Sequence, residues 1–251
     1  MKRLSSGPTL AAKAHESLRK AIINGELVPG RLYSMSALAS HFNVSRTPVR
    51  EALLLLSDQG MVRMERNQGI RILQTTVHDL EEVFALRLLL EVPATFRATR
   101  QMTPTTLSKL RQQYRGMDRA AGNSDESRAM ECDRHFHRII LDCSGNRRLA
   151  SFVDTLRDVA LTYGASTAGK SRTLRDIVAE HQPLLNCIEA GDAPAAAAIM
   201  RKHIVRTAEL LVAQQVDGLR QNGLLDFGWI SAASNANESV VGRGWNPDGA
   251  T

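Results

Sequence analysis

The sequence predicts a mainly α-helical protein, an N-terminal winged helix-turn-helix joined to an all-helical bundle. Three observations predict it. Residues 34–58 carry two helical patterns separated by a short turn, and an alternating hairpin pattern follows at 62–73. Residues 77–212 show long 3.6-residue periodicities and no strand pattern. The charge is also unevenly divided. Residues 1–76 carry 11 Lys and Arg against 5 Asp and Glu, a net +6, whereas residues 77–251 carry 21 of each sign. A basic first third joined to a neutral remainder points to a polyanion-binding module attached to something else.

The elements follow in order. Residues 9–27 read as a helix, with Ala14, Leu18, Ala21 and Ile22 on one face and a stop at Val28-Pro29-Gly30. A short helix from Met35 to Phe42 has Ser34 as its N-cap, and Asn43-Val44 interrupts it. Ser45 caps a third helix that runs to Asp58. Pro48 lies in its first turn, where a missing N–H costs nothing, and Val49, Ala52, Leu53 and Leu56 form its buried stripe. Gly60 ends it. Val62–Glu65 and Ile70–Leu73 alternate around a polar tip, Arg66-Asn67-Gln68-Gly69.

Beyond Thr76 the expected helices are 78–101, 104–121, 124–143, 147–163, 173–190 and 193–214, with a kink or break at Pro93. The predicted domains are therefore 1–76 and 77–216, followed by a Gly-, Asn- and Ser-rich tail, 217–251, that holds both tryptophans. Aromatics make up only 4% of the chain, so the cores are expected to be Leu, Ile, Val and Ala. No apolar run reaches ~18 residues, which excludes a membrane-spanning helix. Three scattered cysteines, Cys132, Cys143 and Cys187, do not make a disulfide framework, and no apolar leader opens the chain; a reducing cytoplasm is expected.

Thr47, Arg50, Glu51 and Asp58 project away from the apolar stripe of the third helix, and Arg46 lies at its start. An N-terminal arginine on such a helix can make a bidentate contact to guanine O6 and N7 in the major groove. Ser45 and Thr47 can bond phosphate through hydroxyl or backbone N–H. Pro29-Gly30, Leu38-Ala39, the string Val44-Ser45-Arg46-Thr47-Pro48-Val49-Arg50-Glu51-Ala52-Leu53, Gly60-Met61-Val62 and Asn67-Gln68-Gly69 resemble the DNA-binding domain of GntR-family bacterial transcription regulators. The resemblance implies a dimer on a palindromic operator. It also implies DNA contacts from Arg46, Thr47, Arg50 and Gly69, with Asn67 beside them at the wing tip. Met35 and Ser36 stand where the family usually has an acidic and often a basic residue.

In the second domain, Asp133 and His137 are i, i+4 on one helix face, while His135 points ~200° away from Asp133. His181 lies 10 residues before the Gly191-Asp192 turn and His203 lies 11 residues after it. At ~1.5 Å per residue the two rings are level on adjacent antiparallel helices. An Asp and three His converge if the Asp133 helix packs on that hairpin; the alternative is four separately satisfied polar residues. Asp133-Arg134-His135-Phe136-His137, Ser144-Gly145-Asn146, Glu180-His181, Ala190-Gly191-Asp192 and His203-Ile204 resemble the FCD effector-binding domain of the FadR subfamily, in its compact VanR-type branch. That resemblance implies a divalent transition metal on Asp133, His137, His181 and His203; the donor set suits Zn²⁺ or Ni²⁺.

It also implies a small carboxylic acid effector held by Arg87, within Phe84–Glu91. The alternative for Arg87 is an ion pair with Glu91, its i+4 neighbour. The resulting expectation is a cytoplasmic, homodimeric, effector-responsive repressor, not an enzyme. A metal-dependent hydrolase fused to a DNA-binding module is the rival, but it needs a general base that no motif here supplies.

Overall fold

Helix α1 (Leu10–Ile23) begins where the Thr9 hydroxyl accepts from the Ala12 N–H at 3.1 Å, and buries Ala14, Leu18, Ala21 and Ile22, the stripe expected from spacing. It stops four residues earlier than expected. Gly25 takes φ +75°, a conformation that no helical residue can share, and ends the helix; the expected turn at Val28-Pro29-Gly30 follows as a separate one, with Gly30 at φ +76° and the Arg31 N–H donating to the Val28 carbonyl at 3.2 Å. The structure, a computed structural model, describes residues 9–66, 68–74, 76–161 and 167–215; the tail expected at 217–251 lies outside them.

Strand β1 (Leu32–Tyr33) had no sequence signal. Helix α2 (Met35–His41) follows, capped by Ser34, and Asn43 (φ 51°) makes the tight turn into α3 (Arg46–Asp58). Ser45 occupies the N-cap position of α3 with extended backbone, but its hydroxyl makes no capping bond, a departure from its expected capping role. Strands β2 (Val62–Glu65) and β3 (Gly69–Ile72) pair antiparallel from Val62↔Ile72 to Glu65↔Gly69, and β1 adds to β3 in the order β1-β3-β2. The hairpin loop is therefore one residue tighter than expected, with Gly69 already in the strand. Leu18, Ile22, Leu38, Leu53, Leu56, Met61, Ile70 and Ile72 close one apolar core between these helices and the sheet.

The remaining elements are helical: α4 (Val77–Gln101), α5 (Pro104–Gly122), α6 (Glu126–Cys143), α7 (Arg147–Leu161), α8 (Leu174–Glu189) and α9 (Ala193–Gln215). Helix α4 runs through Pro93 without the expected break. Pro93 and Leu89, whose carbonyl loses its helical N–H partner, both lie on the exposed face of the chain, where that carbonyl is not sealed in a core. Helices α5 and α6 approach closely because Gly116 has no Cβ; one would stand 2.8 Å from Cys132 Sγ. Thr173 and Asp176 form a reciprocal capping box that starts α8.

The described residues fall into two compact units, one from Met1–Asp79 with Asp154–Ser166, the other from Leu80–Val153 with Thr167–Thr251. Within the first, Asp158 of α7 accepts from Arg19 Nη1 at 2.8 Å and Val159 packs on the apolar core. No described helix is long and apolar enough to cross a membrane.

Candidate metal centre and DNA-binding helix

In the first unit, burial of Pro48, Val49, Ala52, Leu53 and Leu56 turns the opposite face of α3 outward. Arg46, Thr47 and Arg50 are exposed there, and Ser45 is exposed at the helix entrance. An open cleft of about 430 Å³ lies between α2 and the start of α3, lined by Ser36, Ser40, Asn43, Ser45 and Arg46 among others. The hydroxyls, side-chain amide and guanidinium of that lining suit phosphate oxygens. Asn67 lies outside the described residues.

Gly69 has a backbone reason to be glycine. Its φ is +128°, and a Cβ would stand 2.1 Å from the Tyr33 carbonyl oxygen of β1. Two basic residues of the charge-rich segment are committed to the fold. Arg19 bonds Glu16 and Asp158, and Arg71 bonds Glu65 through Nε at 2.5 Å and the Gly30 carbonyl through Nη1 at 2.8 Å.

In the second unit, Asp133 and His137 face inward from α6 and meet His181 of α8 and His203 of α9. Asp133 Oδ1 lies 3.0 Å from His181 Nε2 and 3.8 Å from His137 Nε2, and the two Nε2 atoms are 3.2 Å apart. One nitrogen from each of the three rings falls within 4.8 Å of the others. Ring centroids are 5.2 Å apart for His137 and His203 and 4.8 Å for His181 and His203, so the two hairpin histidines are level, as spacing predicted. His135 is exposed and takes no part. Donors each about 2.1 Å from one ion lie about 3.0–3.4 Å from one another, the range these distances straddle.

The chemistry of the set also fits a cation. The Ile177 carbonyl can only accept, so His181 Nδ1, 2.7 Å away, carries the hydrogen. In the neutral ring Nε2 then presents a lone pair to Asp133 and His137. Opposed lone pairs at such distances need a proton or a metal ion between them, and this set holds more donors than one proton can satisfy. His137 and His181 are both 1% exposed. Burial pushes the His203 ring down to about 4, only partly offset by its contact with Glu180, so the ring is neutral near pH 7, the form a metal requires. Phe136, fully buried, packs edge-on against His137 and His181 and walls the site.

Arg87 is 4% exposed and donates from Nε to Glu91 Oε1 at 2.6 Å, the ion pair held open as its alternative. Sequence reasoning named Glu91 as a partner for Arg87 and noted Glu180 beside His181, but it missed the contacts that these two and Arg172 make behind the histidines. Glu91 Oε2 lies 3.7 Å from His137 Nδ1, Glu180 Oε2 lies 3.4 Å from His203 Nδ1, and Arg172 donates to Glu180. The Glu180 carboxyl would be raised by burial, but the His203 ring and Arg172 hold it below the usual carboxylate range.

The sequence pattern of the "Bacterial regulatory proteins, gntR family" matches residues 10–72, and that of the FCD domain matches residues 82–206. The chain belongs to the GntR family. Among its relatives, LutR, an HTH-type transcriptional regulator of Bacillus subtilis, is 26% identical over 76% of this chain and 95% of its own length. YdhC of the same organism, also named an HTH-type transcriptional regulator, is 29% identical over 58% of this chain, a match spanning 65% of YdhC. The gluconate operon transcriptional repressor of B. subtilis is 39% identical over 36% of each chain. The solved structure of Escherichia coli McbR/YncC superposes with a TM-score of 0.74 over 84% of this chain and all of that one, at 22% identity, which speaks to the fold alone.

This GntR-family chain is thus a DNA-binding transcription regulator with a winged helix-turn-helix and a helical FCD domain. Its relatives are regulators, not enzymes. The family also explains the split of charge, with the basic excess in the part that matches the DNA-binding pattern.

Proposed function

We propose that this regulator is a cytoplasmic, homodimeric repressor that leaves an inverted-repeat operator when a small carboxylic acid binds in its FCD domain. Residues 1–76 read DNA through Ser45, Arg46, Thr47, Arg50, Asn67 and Gly69. Residues 77–216 sense the acid and dimerise. The observation that carries the sensing half is the convergence of Asp133, His137, His181 and His203 in a buried site whose facing lone pairs call for a cation.

Imidazole and carboxylate donors suit Zn²⁺ or Ni²⁺. A divalent ion held by one carboxylate and three neutral rings keeps net positive charge and supplies an electrostatic anchor for a carboxylate ligand. Arg87 is the protein cation on the α4 side, and an incoming acid would share it with Glu91. Phe136 and Leu90 supply apolar surface for the rest of the ligand. For the homodimer, α4 offers an exposed apolar row, Leu86 and Leu89 at 40% and 37% exposed with Pro93 beyond them, suited to a second copy.

Two measurements test the reading together. Elemental analysis of protein purified without chelator should show about one transition-metal ion per chain, reduced in His181→Ala and His203→Ala. Gel-shift titration on footprinted sites should show Arg46→Ala losing roughly 1–3 kcal/mol if it reads a base. Absence of metal even after loading with Zn²⁺ or Ni²⁺ retires the centre. Unchanged operator affinity in both Arg46→Ala and Arg50→Ala retires the recognition face.

A further inference from the structure

Three rings point nitrogens at one another, and each ring has a second nitrogen pointing away. What stands behind those outer nitrogens differs in kind. Behind His181 is a backbone carbonyl, at 2.7 Å from Nδ1. Behind His137 is a carboxylate oxygen of Glu91, 3.7 Å from Nδ1. Behind His203 is a carboxylate oxygen of Glu180, 3.4 Å from Nδ1. Both glutamates are in turn held by an arginine: Arg87 donates to Glu91 Oε1 at 2.6 Å, and Arg172 donates to Glu180 Oε2.

These pairs are costly places to keep charge. The Glu91 side chain is fully buried and that of Arg87 5% exposed; in the second pair Arg172 is 7% exposed and Glu180 28%, so the cost is greatest at Arg87 and Glu91. Buried ion pairs stabilise a fold no better than well-packed apolar groups of the same size, so the same succession of Arg, Glu and His occurring twice around one site asks for a role beyond packing. Glu91 Oε2 is buried without a hydrogen-bond partner and faces the His137 ring, and His203 Nδ1 is buried without one and faces Glu180 Oε2, which already accepts from Arg172.

We propose that Arg87–Glu91–His137 and Arg172–Glu180–His203 are two positioning relays, in which each glutamate fixes its histidine as the Nδ1–H tautomer with Nε2 presented to the metal. The physical basis is that a neutral imidazole carries one hydrogen, and an acceptor at one nitrogen decides which nitrogen keeps it. A carboxylate also raises the basicity of the opposite nitrogen, and the arginine holds that carboxylate in place. Helix α8 serves two rings at once: His181 faces the centre, while its neighbour Glu180 backs His203 on α9. Glu91 and Glu180 are positioning residues, not ligands. This inference rests on the reading of Asp133, His137, His181 and His203 as a metal centre.

The test is competition between the full-length protein and a fluorescent chelator for Zn²⁺, at about pH 7.5, for the natural chain and for Glu180→Ala, Glu180→Gln and Glu91→Gln. ¹⁵N-histidine NMR of the zinc-loaded forms reports the tautomers. Glu180→Ala should weaken Zn²⁺ binding by about 10–100-fold. Glu180→Gln keeps an acceptor for Nδ1–H and should recover most of that loss; Glu91→Gln, which keeps one behind His137, should bind Zn²⁺ nearly as tightly as the natural chain. The rise in melting temperature on zinc loading should shrink in Glu180→Ala by more than the metal-free melting temperature changes, which a purely structural ion pair would not produce. Zinc affinity in Glu180→Ala equal to that of the natural chain, or Glu180→Gln failing as badly as Glu180→Ala, overturns the relays while leaving the metal centre standing. No zinc binding by the natural chain overturns the centre and the relays with it.

Discussion

His203 meets two opposed demands, and the balance makes its protonation measurable. Burial favours the neutral ring and brings it to about 4, while Glu180 favours the charged one. An unfolded histidine titrates near ~6.5. Between those values the unfolded chain binds more protons than the folded one, so stability rises with pH across that window. The metal-free protein should therefore lose stability as pH falls from about 6.5 to about 4, by an amount on the order of 3 kcal/mol attributable to this ring. Urea titrations of chelator-treated protein at several pH values, compared with His203→Asn, isolate the contribution; parallel pH dependence in the two would assign the loss to other groups.

Gly69 carries a second residue-scale prediction. Its φ is in the left-handed half of the map, and any Cβ there would stand 2.1 Å from the Tyr33 carbonyl oxygen, so Gly69→Ala must move backbone, not a flexible side chain. A loss on the order of 3 kcal/mol in thermal unfolding is expected, before any effect on DNA. If Gly69→Ala melts normally and only operator binding falls, the position matters for approach to DNA and not for the sheet. At this scale the sequence was most legible where spacing alone fixes a direction: Arg46, Thr47 and Arg50 opposite the apolar stripe, and His181 level with His203 across one turn. The Arg87–Glu91 pair was legible as an i, i+4 spacing, but the places of Glu91, Glu180 and Arg172 behind the rings were not. They stand behind the rings, on α4, on α8 and just before α8, and no local periodicity links a side chain to its neighbour's far nitrogen.

Elements separate by how far their cause lies along the chain. The buried stripes of α1 and α3 were readable because each is a local repeat, and α8 starts at a capping box written in four consecutive residues. Strand β1 was not readable, since two residues carry no alternation and exist as a strand only through pairing with β3. Of the kink or break expected at Pro93, the break is absent, because the cost of the proline depends on whether the deprived carbonyl is open to solvent, which is set by which face of α4 is outward. Each unit has its own apolar core, and this yields a prediction at the element scale. Leu53, fully buried between α1, α3 and the sheet, should cost about 2–5 kcal/mol when replaced by Ala. The first unit should melt early and operator binding should fail at lower temperature, while zinc content stays unchanged. Zinc lost in step with the first unit would show that the two cores do not unfold independently.

At the scale of the whole molecule, the proposed release of DNA by an acid bound in the FCD domain is constrained by thermodynamic linkage. An acid that weakens operator binding must bind more tightly to the arrangement that does not hold DNA, and saturating operator must weaken the acid by the same factor. Couplings of this kind are typically about 1–3 kcal/mol, roughly 5–150-fold. The acid is found by screening mono- and dicarboxylates against neutral and amine controls for a rise in melting temperature. Its affinity is then measured by calorimetry with and without operator, and operator affinity is measured with and without the acid. Equal ratios are expected, and both should fall to one when the metal is removed by chelation, if the proposed centre of Asp133, His137, His181 and His203 meets the acid's charge. Arg87→Ala should reduce acid affinity more than it reduces zinc affinity if the guanidinium contacts the ligand; the reverse order would place Arg87 behind Glu91 alone. An acid that stabilises the protein yet leaves operator affinity untouched would break the proposed coupling, and screening hits that were neutral or cationic would refute the electrostatic basis for recognising an acid.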